Sequence, residues 1–333
     1  MPRAPGFWQR DGGRLLPWLL SPLAAVTAAA TGHRVARPGW RAPVPVICCG
    51  NVTVGGAGKT TLALDLGQRL LARGHTVHFL LRGYGGSVRG THRVAPGDTA
   101  ALVGDEALLL AAVAPTWVGG NRAASARAAV AAGAQVLVLD DGLQNPTLHK
   151  DLSLLVVDGA SGFGNGHVLP AGPLREPVAA SAARCQAAVL VGRDLTGVAA
   201  ALPRGLPVLR ARLAPGPEVT ALAGRPVLAF AGIASPDKFF ATLGEAGAVL
   251  AGSVPFPDHH AYSDRDLGML LDRARELGAV PATTPKDAVR LPEAVRRQVR
   301  VIGVTLAWED PAPLEALLAS TICVPSQRRG QDA

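Results

Sequence analysis

Aromatic side chains are scarce in this sequence: Phe, Trp and Tyr make up 4% of its 333 residues. No stretch interleaves arginines with aromatic rings on which bases could stack, so nucleic acid is the least favoured partner. Charged residues are also few, at 17%, against 48% hydrophobic ones. This composition excludes an intrinsically disordered chain and predicts one large or two medium domains, each with its own core.

Cysteine is equally sparse, and its four copies lack the CxxC spacing of zinc or redox sites. Two of them are adjacent in an apolar run that we interpret as a buried strand. We expect free core thiols in a reducing cytoplasm, at Cys48, Cys49, Cys185 and Cys323.

Acidic residues are outnumbered by basic ones, 25 to 33, which gives a formal net charge of +8. An excess of positive charge suits an anionic partner, such as a nucleotide, a phospholipid surface or a phosphorylated substrate. Charge alone does not choose among these.

An uncharged, mostly apolar stretch covers residues 15–32 and has arginines on both sides. Its length is at the lower edge of a membrane span, and Pro17 and Pro22 interrupt it. Two interpretations fit equally: a helix lying in the cytoplasmic face of a bilayer, held by Trp8, Trp18, leucines and arginines, or a buried first helix of the domain. Basic residues on both sides argue against an exported signal peptide.

Residues 50–61 read GNVTVGGAGKTT, follow a short apolar run and lead into an amphipathic segment. Glycines let backbone N–H groups turn toward phosphate oxygens, and the N-terminus of the next helix adds a favourable dipole. Lys59 can reach the β- and γ-phosphates, and the Thr60 hydroxyl can ligate Mg²⁺. The pattern predicts a nucleoside triphosphate site, against the alternative of a turn that only caps a helix. The candidate nucleotide-binding residues are Thr53, Val54, Gly55, Gly56, Ala57, Gly58, Lys59, Thr60 and Thr61.

Two acids, Asp140 and Asp141, end an apolar strand about eighty residues after this loop. Acids in that position of a nucleotide-binding sheet hold Mg²⁺ directly or through water. The pattern is common by itself, but beside a phosphate loop it indicates a metal site made by Thr60, Asp140 and Asp141.

Strands and helices alternate along the chain, which predicts an α/β fold: a P-loop NTPase-like parallel sheet with helices on both faces, plus a second, smaller α/β domain and an N-terminal apolar helix. The Pro- and Gly-rich stretch that ends at residue 225 shows no strong hydrophobic period and is interpreted as a linker. Residues 299–306 are interpreted as one strand. We predict four parts of the chain. Residues 1–38 form a membrane-associating helix, residues 39–200 a P-loop domain, residues 201–225 a linker and residues 226–333 a smaller α/β domain.

Three further patterns fit both a functional and a structural interpretation. Asp105 and Glu106 stand at a predicted helix start, where carboxylates commonly complement the helix dipole. Residues 258–260 read Asp-His-His and lie in a predicted loop. They fit either a surface turn or a carboxylate and imidazole that transfer a proton. The Gly- and Pro-rich residues 162–177 form either a rigid loop shaped around a ligand or a structural turn.

Taken together, these motifs resemble the tetraacyldisaccharide 4′-kinase family, the lipid A 4′-kinases of Gram-negative bacteria. Thr53 in the phosphate loop is itself a family feature. The chain departs from the family's pattern at Asn145-Pro146, where many relatives carry His and an aromatic, and at Pro285, where Glu is usual. The resemblance covers nearly the whole chain, and the segments that carry it are the N-terminal apolar segment, GNVTVGGAGKT (50–60), LRGYGG (81–86), VGDE (103–106), DDGLQ (140–144), GFGNGHVLPAGPLREP (162–177), FAGIASPDKFF (230–240), FPDHH (256–260) and TPKDA (284–288).

The resemblance implies ATP- and Mg²⁺-dependent phosphorylation of the 4′-hydroxyl of tetraacyldisaccharide 1-phosphate, which gives lipid IVA in lipid A biosynthesis. It places the enzyme at the cytoplasmic face of the inner membrane, whose anionic surface suits the net charge. We expect a monomer. The resemblance also implies that Asp105 and His259 together activate the sugar hydroxyl and that Asp140 and Asp141 serve the Mg²⁺–ATP. The implied catalytic residues are Asp105, His259, Lys59, Asp141 and Glu176.

His259 belongs to the second predicted domain, so we expect it to reach the site only on domain closure. Arg82 and Arg175 are candidates for phosphate contacts because guanidinium groups suit phosphate, and Asn165 is a further candidate substrate residue. The alternative function is a P-loop NTPase switch or metallochaperone that acts through a protein partner. A membrane scaffold with a degenerate loop is disfavoured by the intact Gly58-Lys59-Thr60.

Overall fold

The computed structural model describes residues 5–323, so residues 1–4 and 324–333, at the ends of the first and last predicted segments, lie outside the described residues. The strands in this part of the chain are β1 (Val46–Gly50), β2 (Val77–Leu81), β3 (His92–Arg93), β4 (Thr116–Val118), β5 (Val136–Asp140), β6 (Leu152–Asp158), β7 (Ala187–Val191), β8 (Val208–Pro215), β9 (Pro226–Ala231), β10 (Val249–Pro255), β11 (Val280–Thr283), β12 (Arg300–Val301) and β13 (Val304–Trp308). The α-helices are α1 (Leu15–Val35), α2 (Lys59–Ala72), α3 (Ala100–Val103), α4 (Asp105–Ala111), α5 (Arg122–Ala131), α6 (Val178–Ala182), α7 (Val198–Ala201), α8 (Pro236–Glu245), α9 (Asp264–Glu276), α10 (Pro285–Ala288), α11 (Glu293–Arg296) and α12 (Ala312–Ile322).

Nine strands form a large sheet in the order β13-β8-β7-β6-β1-β5-β2-β4-β3. The strands from β8 to β4 in this order run parallel, and only the edge strands β13 and β3 are antiparallel. Both faces of the sheet are covered: Ile47 and Cys49 of β1 point into one core, and Val46 and Cys48 into the other. Burial on both faces explains why the parallel strands read as unbroken apolar runs. The predicted fold class is confirmed.

A second, four-stranded parallel sheet has the order β10-β9-β11-β12. Phe239 and Phe240 of α8 pack on one face of it, and Leu267 and Leu270 of α9 pack on the other. We call the large sheet with α2–α7 and α12 the first lobe, and the small sheet with α8–α11 the second lobe.

The structure corrects two boundaries predicted from sequence. The expected linker, 201–225, contains β8, in which Leu209 and Ala211 are buried while Arg210 and Arg212 are exposed. The expected strand at 299–306 is two strands, because β12 joins the small sheet and β13 pairs with β8 in the large one. The alternation of apolar and polar residues in β8 is short, and the prolines and glycines on either side of it led us to interpret the stretch as a linker. The chain therefore crosses between the lobes twice.

Helix α1 is mostly exposed, which does not fit a buried first helix of the domain. Leu15 and Trp18 are each 70% exposed, whereas Pro17, Ala24 and Thr31 are buried. Within residues 5–323, α1 is the one helix long and apolar enough to cross a membrane. Its outward face thus presents a continuous apolar surface to the surroundings.

The four cysteines are free, and three of them are core thiols as expected: Cys48, Cys49 and Cys185 are buried. Burial raises the pKa of Cys48 to about 11. The expectation was wrong for Cys323, which is exposed because it lies just after the last turn of α12.

Substitution Gly67→Ala in α2 should destabilise the protein, although alanine is the better helix former by about 1 kcal/mol. A Cβ at Gly67 would lie 2.3 Å from Cζ of the fully buried Phe79. Overpacking of this kind costs about 1–3 kcal/mol. Gly268→Ala in α9 is the matched control, since nothing lies within 4 Å of a Cβ there. Urea unfolding should show a lower midpoint for Gly67→Ala and an equal or higher one for Gly268→Ala; a stabilised Gly67→Ala variant would contradict the packing described.

Candidate active site

The phosphate loop joins β1 to α2 at the carboxyl edge of the large sheet. Gly58 caps α2 with a left-handed backbone (φ 88°), a conformation that a side chain would strain. Lys59 Nζ donates to Asn51 Oδ1 at 3.0 Å, and Asn51 Nδ2 donates to the Thr53 carbonyl at 2.9 Å. Asn51 is fully buried. It therefore links the two ends of the loop and holds the lysine within the loop.

The remaining loop residues line the same turn. Ala57 is buried, Thr60 and Thr61 are half-buried, and the exposed residues are Val54, Gly55 and Gly56. Exposed glycines leave the backbone N–H groups open to an anion from solvent.

The two acids at the end of β5 have different environments. Asp140 is buried, and its Oδ2 accepts a hydrogen bond from Thr60 Oγ1 at 2.8 Å. Its other oxygen, Oδ1, is buried without a hydrogen-bond partner. Burial raises the pKa of Asp140 to about 6, against the opposing charge of Lys59.

An unpartnered carboxylate oxygen beside a threonine hydroxyl fits Mg²⁺, which takes oxygen ligands and keeps several waters and phosphate oxygens. Among the described residues, no three His, Cys, Asp or Glu side chains form a metal cluster by themselves. Asp140 and Thr60 would therefore hold the cation together with the nucleotide's own oxygens, and a ligand role for Asp141 stays a prediction.

Asp141 is held by cations from three directions. Arg175 Nη1 lies 2.9 Å from both carboxylate oxygens, and Lys59 Nζ lies 3.6 Å from Oδ2. The buried Arg122 donates through Nη2 to the Asp141 carbonyl at 3.3 Å. Burial raises the pKa of Asp141, but Lys59 and Arg175 outweigh it and lower the pKa overall. Asp141 is thus an ionised carboxylate that orients Arg175 and Lys59 at the loop.

The Gly- and Pro-rich residues 162–177 pack directly against the phosphate loop. Val54 N donates to the Pro173 carbonyl at 2.9 Å, and Arg175 N donates to the Val52 carbonyl at 2.6 Å. Since this backbone pairing forms one wall of the nucleotide loop, the segment is part of the candidate site rather than a remote turn.

Glu176 lies behind the loop instead of facing it. The side chain is buried, Arg184 Nη2 lies 2.7 and 2.8 Å from its two oxygens, and Gln144 Nε2 donates to Oε1 at 2.9 Å. Gln144 also donates to the Asn51 carbonyl at 2.9 Å. In this arrangement Glu176 positions Gln144 and Asn51, and a direct catalytic role for it stays a prediction.

Two of the candidate substrate residues are placed differently from Arg175. Arg82 follows β2 with an exposed side chain. Asn165 directs its amide to backbone carbonyls, at 2.8 Å from Phe7 O and 2.9 Å from Ala171 O, and its Oδ1 accepts from the His167 N–H. All of these hydrogen-bonding groups of Asn165 are used within the protein. Asn165 therefore supports the loop structure, and its contact with substrate stays a prediction.

A histidine and an aspartate from different lobes meet at the start of α4. His259 Nδ1 lies 2.7 Å from Asp105 Oδ2, although the two residues are 154 positions apart in sequence. Asp105 is buried, and His259 keeps about a third of its side chain exposed. Burial raises the pKa of Asp105, but hydrogen bonds from His259 and Arg290 lower it overall, to about 2. The hydrogen bond to Asp105 in turn raises the pKa of His259.

A second ion pair joins the lobes beside this one. Lys286 Nζ lies 2.6 Å from Glu106 Oε1. Burial lowers the pKa of Lys286, but Glu106 and, more weakly, Asp140 and Asp105 raise it overall. His259 thus contacts the first lobe in this structure, and the expectation that it does so only on domain closure stays a prediction.

The family of this chain follows from comparison with known proteins. A family model described as tetraacyldisaccharide-1-P 4′-kinase matches residues 16–323. The chain belongs to that family.

Similar proteins include two named tetraacyldisaccharide 4′-kinase. One, from Gluconacetobacter diazotrophicus, is 61% identical over 95% of this chain and 97% of its own length; the other, from Rhodospirillum centenum, is 56% identical over 95% and 96%. The fold is similar to the crystal structure of LpxK from Aquifex aeolicus in complex with ATP. That similarity has a TM-score of 0.76 at 26% identity and covers 92% of this chain and all of the other.

Both departures from the 4′-kinase pattern are absorbed by local backbone structure. Asn145 Oδ1 accepts from Thr147 Oγ1 at 2.7 Å and its Nδ2 donates to the Gly120 carbonyl at 3.2 Å, which shapes the turn after the acid pair. Pro285 occupies the first position of α10 after the capping Thr284, where no backbone N–H is needed.

The sequence interpretation missed the side chains that brace the 4′-kinase site: Asn51, Arg122 and Arg290. A buried polar residue inside a motif gives no sequence signal of its own. The backbone conformation in the structure does mark two other residues of the site. Among the described residues, Asp141 and His259 are the two non-glycine residues with positive φ, each at 59°. Such conformations persist where surrounding structure enforces them, often at functional sites.

Substitution Asn51→Ala should weaken ATP binding about tenfold, because Lys59 loses its 3.0 Å partner and a hydrogen bond to a charged group is worth about 1.5–3 kcal/mol. Equilibrium binding of a fluorescent ATP analogue measures the loss. Ser263→Ala is the matched control: it removes the cap of α9 and costs about 1 kcal/mol of stability without changing nucleotide affinity. Equal affinity in the Asn51→Ala variant and the wild type would show that Lys59 does not depend on Asn51.

Proposed function

We propose that this protein transfers the γ-phosphoryl group of ATP to the 4′-hydroxyl of tetraacyldisaccharide 1-phosphate. The observation that carries the proposal is the 2.7 Å contact between His259 and Asp105 at the edge of the sheet that holds the phosphate loop. Phosphoryl transfer needs positioning, charge neutralisation and a proton acceptor, and this edge supplies groups for all three.

Lys59 and Arg175 form the cationic part of the proposed nucleotide site. Both contact Asp141, at 3.6 and 2.9 Å, so they are already turned toward one another across the loop. Thr60 and Asp140 would hold Mg²⁺, which when bound neutralises charge on the β- and γ-phosphates. In this proposal Asp141 aligns the two cations, and Arg82, exposed after β2, is a further candidate for a phosphate of the substrate.

The Asp105–His259 pair would take the proton of the attacking hydroxyl. Histidine is suited to this role because its charge changes near neutral pH, and the buried aspartate orients the ring. The pair comes from two lobes of a single chain, so a monomer contains the complete proposed site.

Helix α1 would bring the enzyme to its lipid substrate at the cytoplasmic face of the inner membrane. The segment before α1 is fixed to the first lobe: Trp8 Nε1 donates to the Pro170 carbonyl at 3.1 Å, and Arg10 Nη1 donates to the Thr196 carbonyl at 3.1 Å. Pro170 belongs to the Gly- and Pro-rich loop that carries Arg175. The proposed membrane anchor therefore begins directly beside the proposed site.

Radiolabel from γ-labelled ATP should appear in purified tetraacyldisaccharide 1-phosphate incubated with the protein, Mg²⁺ and detergent. Lys59→Ala should abolish the labelled lipid, and Asp105→Ala should lower turnover by about 10²–10⁴-fold, the usual contribution of acid–base catalysis. Turnover of Asp105→Ala within about threefold of the wild type would reject the dyad. Bound nucleotide without any lipid product would favour the partner-acting NTPase instead.

A triple variant, Trp18→Gln with Leu19→Gln and Leu23→Gln, should lose binding to phosphatidylglycerol vesicles in a flotation assay. Each of these side chains is at least half exposed on α1, and burying one such side chain is worth about 1.5–3 kcal/mol, so the partition coefficient should fall by roughly 100-fold or more. Leu213→Gln, at an exposed position of β8, is the control and should float like the wild type. Unchanged flotation of the triple variant would place the anchor elsewhere.

A further inference from the structure

Both oxygens of the Asp105 carboxylate already accept hydrogen bonds within the protein. Arg290 approaches it with two nitrogens: Nε donates to Oδ1 at 3.0 Å and Nη2 donates to Oδ2 at 2.5 Å. His259 Nδ1 occupies Oδ2 as well. The side chains of Asp105 and Arg290 are each 6% exposed. A two-nitrogen guanidinium contact of this kind fixes the plane of a carboxylate as well as its charge.

Arg290 is itself held in place by the second lobe. Its Nη1 donates to the Gly232 carbonyl at 3.1 Å and lies 3.3 Å from Asp287 Oδ1. Asp287 is fully buried and also accepts from Tyr262 Oη at 2.8 Å. The His259 N–H donates to the same Gly232 carbonyl, at 3.1 Å. One carbonyl therefore sets the position of both the histidine and the arginine that meet at Asp105.

The free atom of the dyad is on the histidine. With Nδ1 directed at Asp105, Nε2 of His259 faces away, and its nearest acid, Asp258 Oδ2, is 3.8 Å distant, beyond a hydrogen bond. A neutral imidazole that donates through Nδ1 has its lone pair at Nε2.

We propose that Arg290 is a positioning residue that fixes the plane of the Asp105 carboxylate and, through it, the ring of His259. This inference rests on the kinase function proposed above and adds to it the residue that orients its acid–base pair. In the step, the hydroxyl oxygen bonds to the γ-phosphorus as the bond from that phosphorus to the oxygen of the leaving ADP breaks. The hydroxyl proton moves to the lone pair of His259 Nε2, and the imidazolium that forms is stabilised by Asp105.

Arg290 also sets the electric field at the imidazole. The acids that raise the pKa of His259 are Asp105 and Glu106 of α4 and Asp258 of its own loop, and Arg290 shares the Asp105 Oδ2 atom with the ring; the ring centroid of Tyr84 lies 6.5 Å from that of His259. Three of these groups are acids, so loss of the guanidinium leaves more negative charge around the ring. The pKa of His259, already raised, then rises further, and the neutral form needed to accept a proton appears only at higher pH.

A purely structural alternative is that Arg290 merely fastens the two lobes. Lys286 offers the matched comparison, because its 2.6 Å ion pair with Glu106 also joins the lobes but does not touch Asp105 or His259. We therefore compare the kinetics of three variants, Arg290→Ala, Arg290→Lys and Lys286→Ala. The comparison distinguishes a residue that orients Asp105 from one that only holds the two lobes together.

We expect Arg290→Ala to lower kcat by about 10²-fold with the KM values for ATP and lipid changed by less than about threefold. The acidic limb of its kcat–pH profile should move to higher pH, and added guanidinium chloride at tens of millimolar should restore at least about tenfold of the lost rate by refilling the site. Arg290→Lys should bring the acidic limb of the profile back toward its wild-type position without restoring the full rate. Lysine keeps the positive charge but cannot make the two-nitrogen contact with the carboxylate. Lys286→Ala should move the limb less than Arg290→Ala does, because it leaves uncompensated only Glu106, which is the weakest of the acids that raise the pKa of His259.

A readout without turnover tests the inference independently of activity, and Arg290→Lys keeps it falsifiable if the alanine variant folds poorly. In protein labelled with ¹⁵N-histidine, and with His259 assigned through His259→Gln, the His259 resonance should titrate at higher pH in Arg290→Ala than in the wild type, and near the wild-type pH in Arg290→Lys. An unmoved titration, together with a kcat loss like that of Lys286→Ala and no rescue, would overturn the inference. Transfer by the wild type and its loss in His259→Ala test the proposed kinase function separately.

Discussion

The carboxylate of Asp105 is withdrawn from water at the junction of the lobes, where an uncompensated charge would cost several kcal/mol. The groups that compensate it, Arg290 and His259, come from the second lobe, whereas Asp105 begins a helix of the first. Docking of the lobes and assembly of the dyad are therefore one interaction. Docking buries the carboxylate and supplies its compensating groups together.

A second pair of carboxylates shows how adjacent residues acquire different properties. Asp140 and Asp141 are neighbours in sequence, but burial raises the pKa of the first while Lys59 and Arg175 lower that of the second. Asp140 has a buried oxygen still in need of a partner, and Asp141 already has its cations. When the surroundings give two neighbouring carboxyl groups different pKa values, the two groups commonly have different roles. A cation would be taken up by Asp140, while Asp141 keeps the arginine and lysine in register.

The sequence predicted the parts of this molecule whose signals are local. The phosphate loop and the acid pair were found because each is a contiguous run at a strand end, and parallel sheet topology brings them to one edge. The pairing of Asp105 with His259 could not be derived from spacing, since the two lie 154 residues apart; it came from the family resemblance. Arg290 gave no signal, because a lone arginine near a helix end is ordinary.

The errors have equally local causes. Strand β8 was hidden within a Pro- and Gly-rich stretch, and the sequence contains no sign that β12 and β13, three residues apart, enter different sheets. The expectation that His259 arrives by closure is not one of these errors and stays a prediction. The return of β13 and α12 to the first lobe anchors the second lobe at both ends, which sequence order does not reveal.

The contacts of Trp8 and Arg10 with the first lobe leave only residues 11–14 between the fixed segment and α1. A tether that short sets the height and tilt of the catalytic edge above any bilayer that α1 enters. An enzyme held in this way meets its lipid by lateral diffusion in two dimensions. Its rate then follows the mole fraction of substrate in the membrane rather than the bulk concentration, so diluting the surface with inert lipid slows it even when the total amount of substrate is constant.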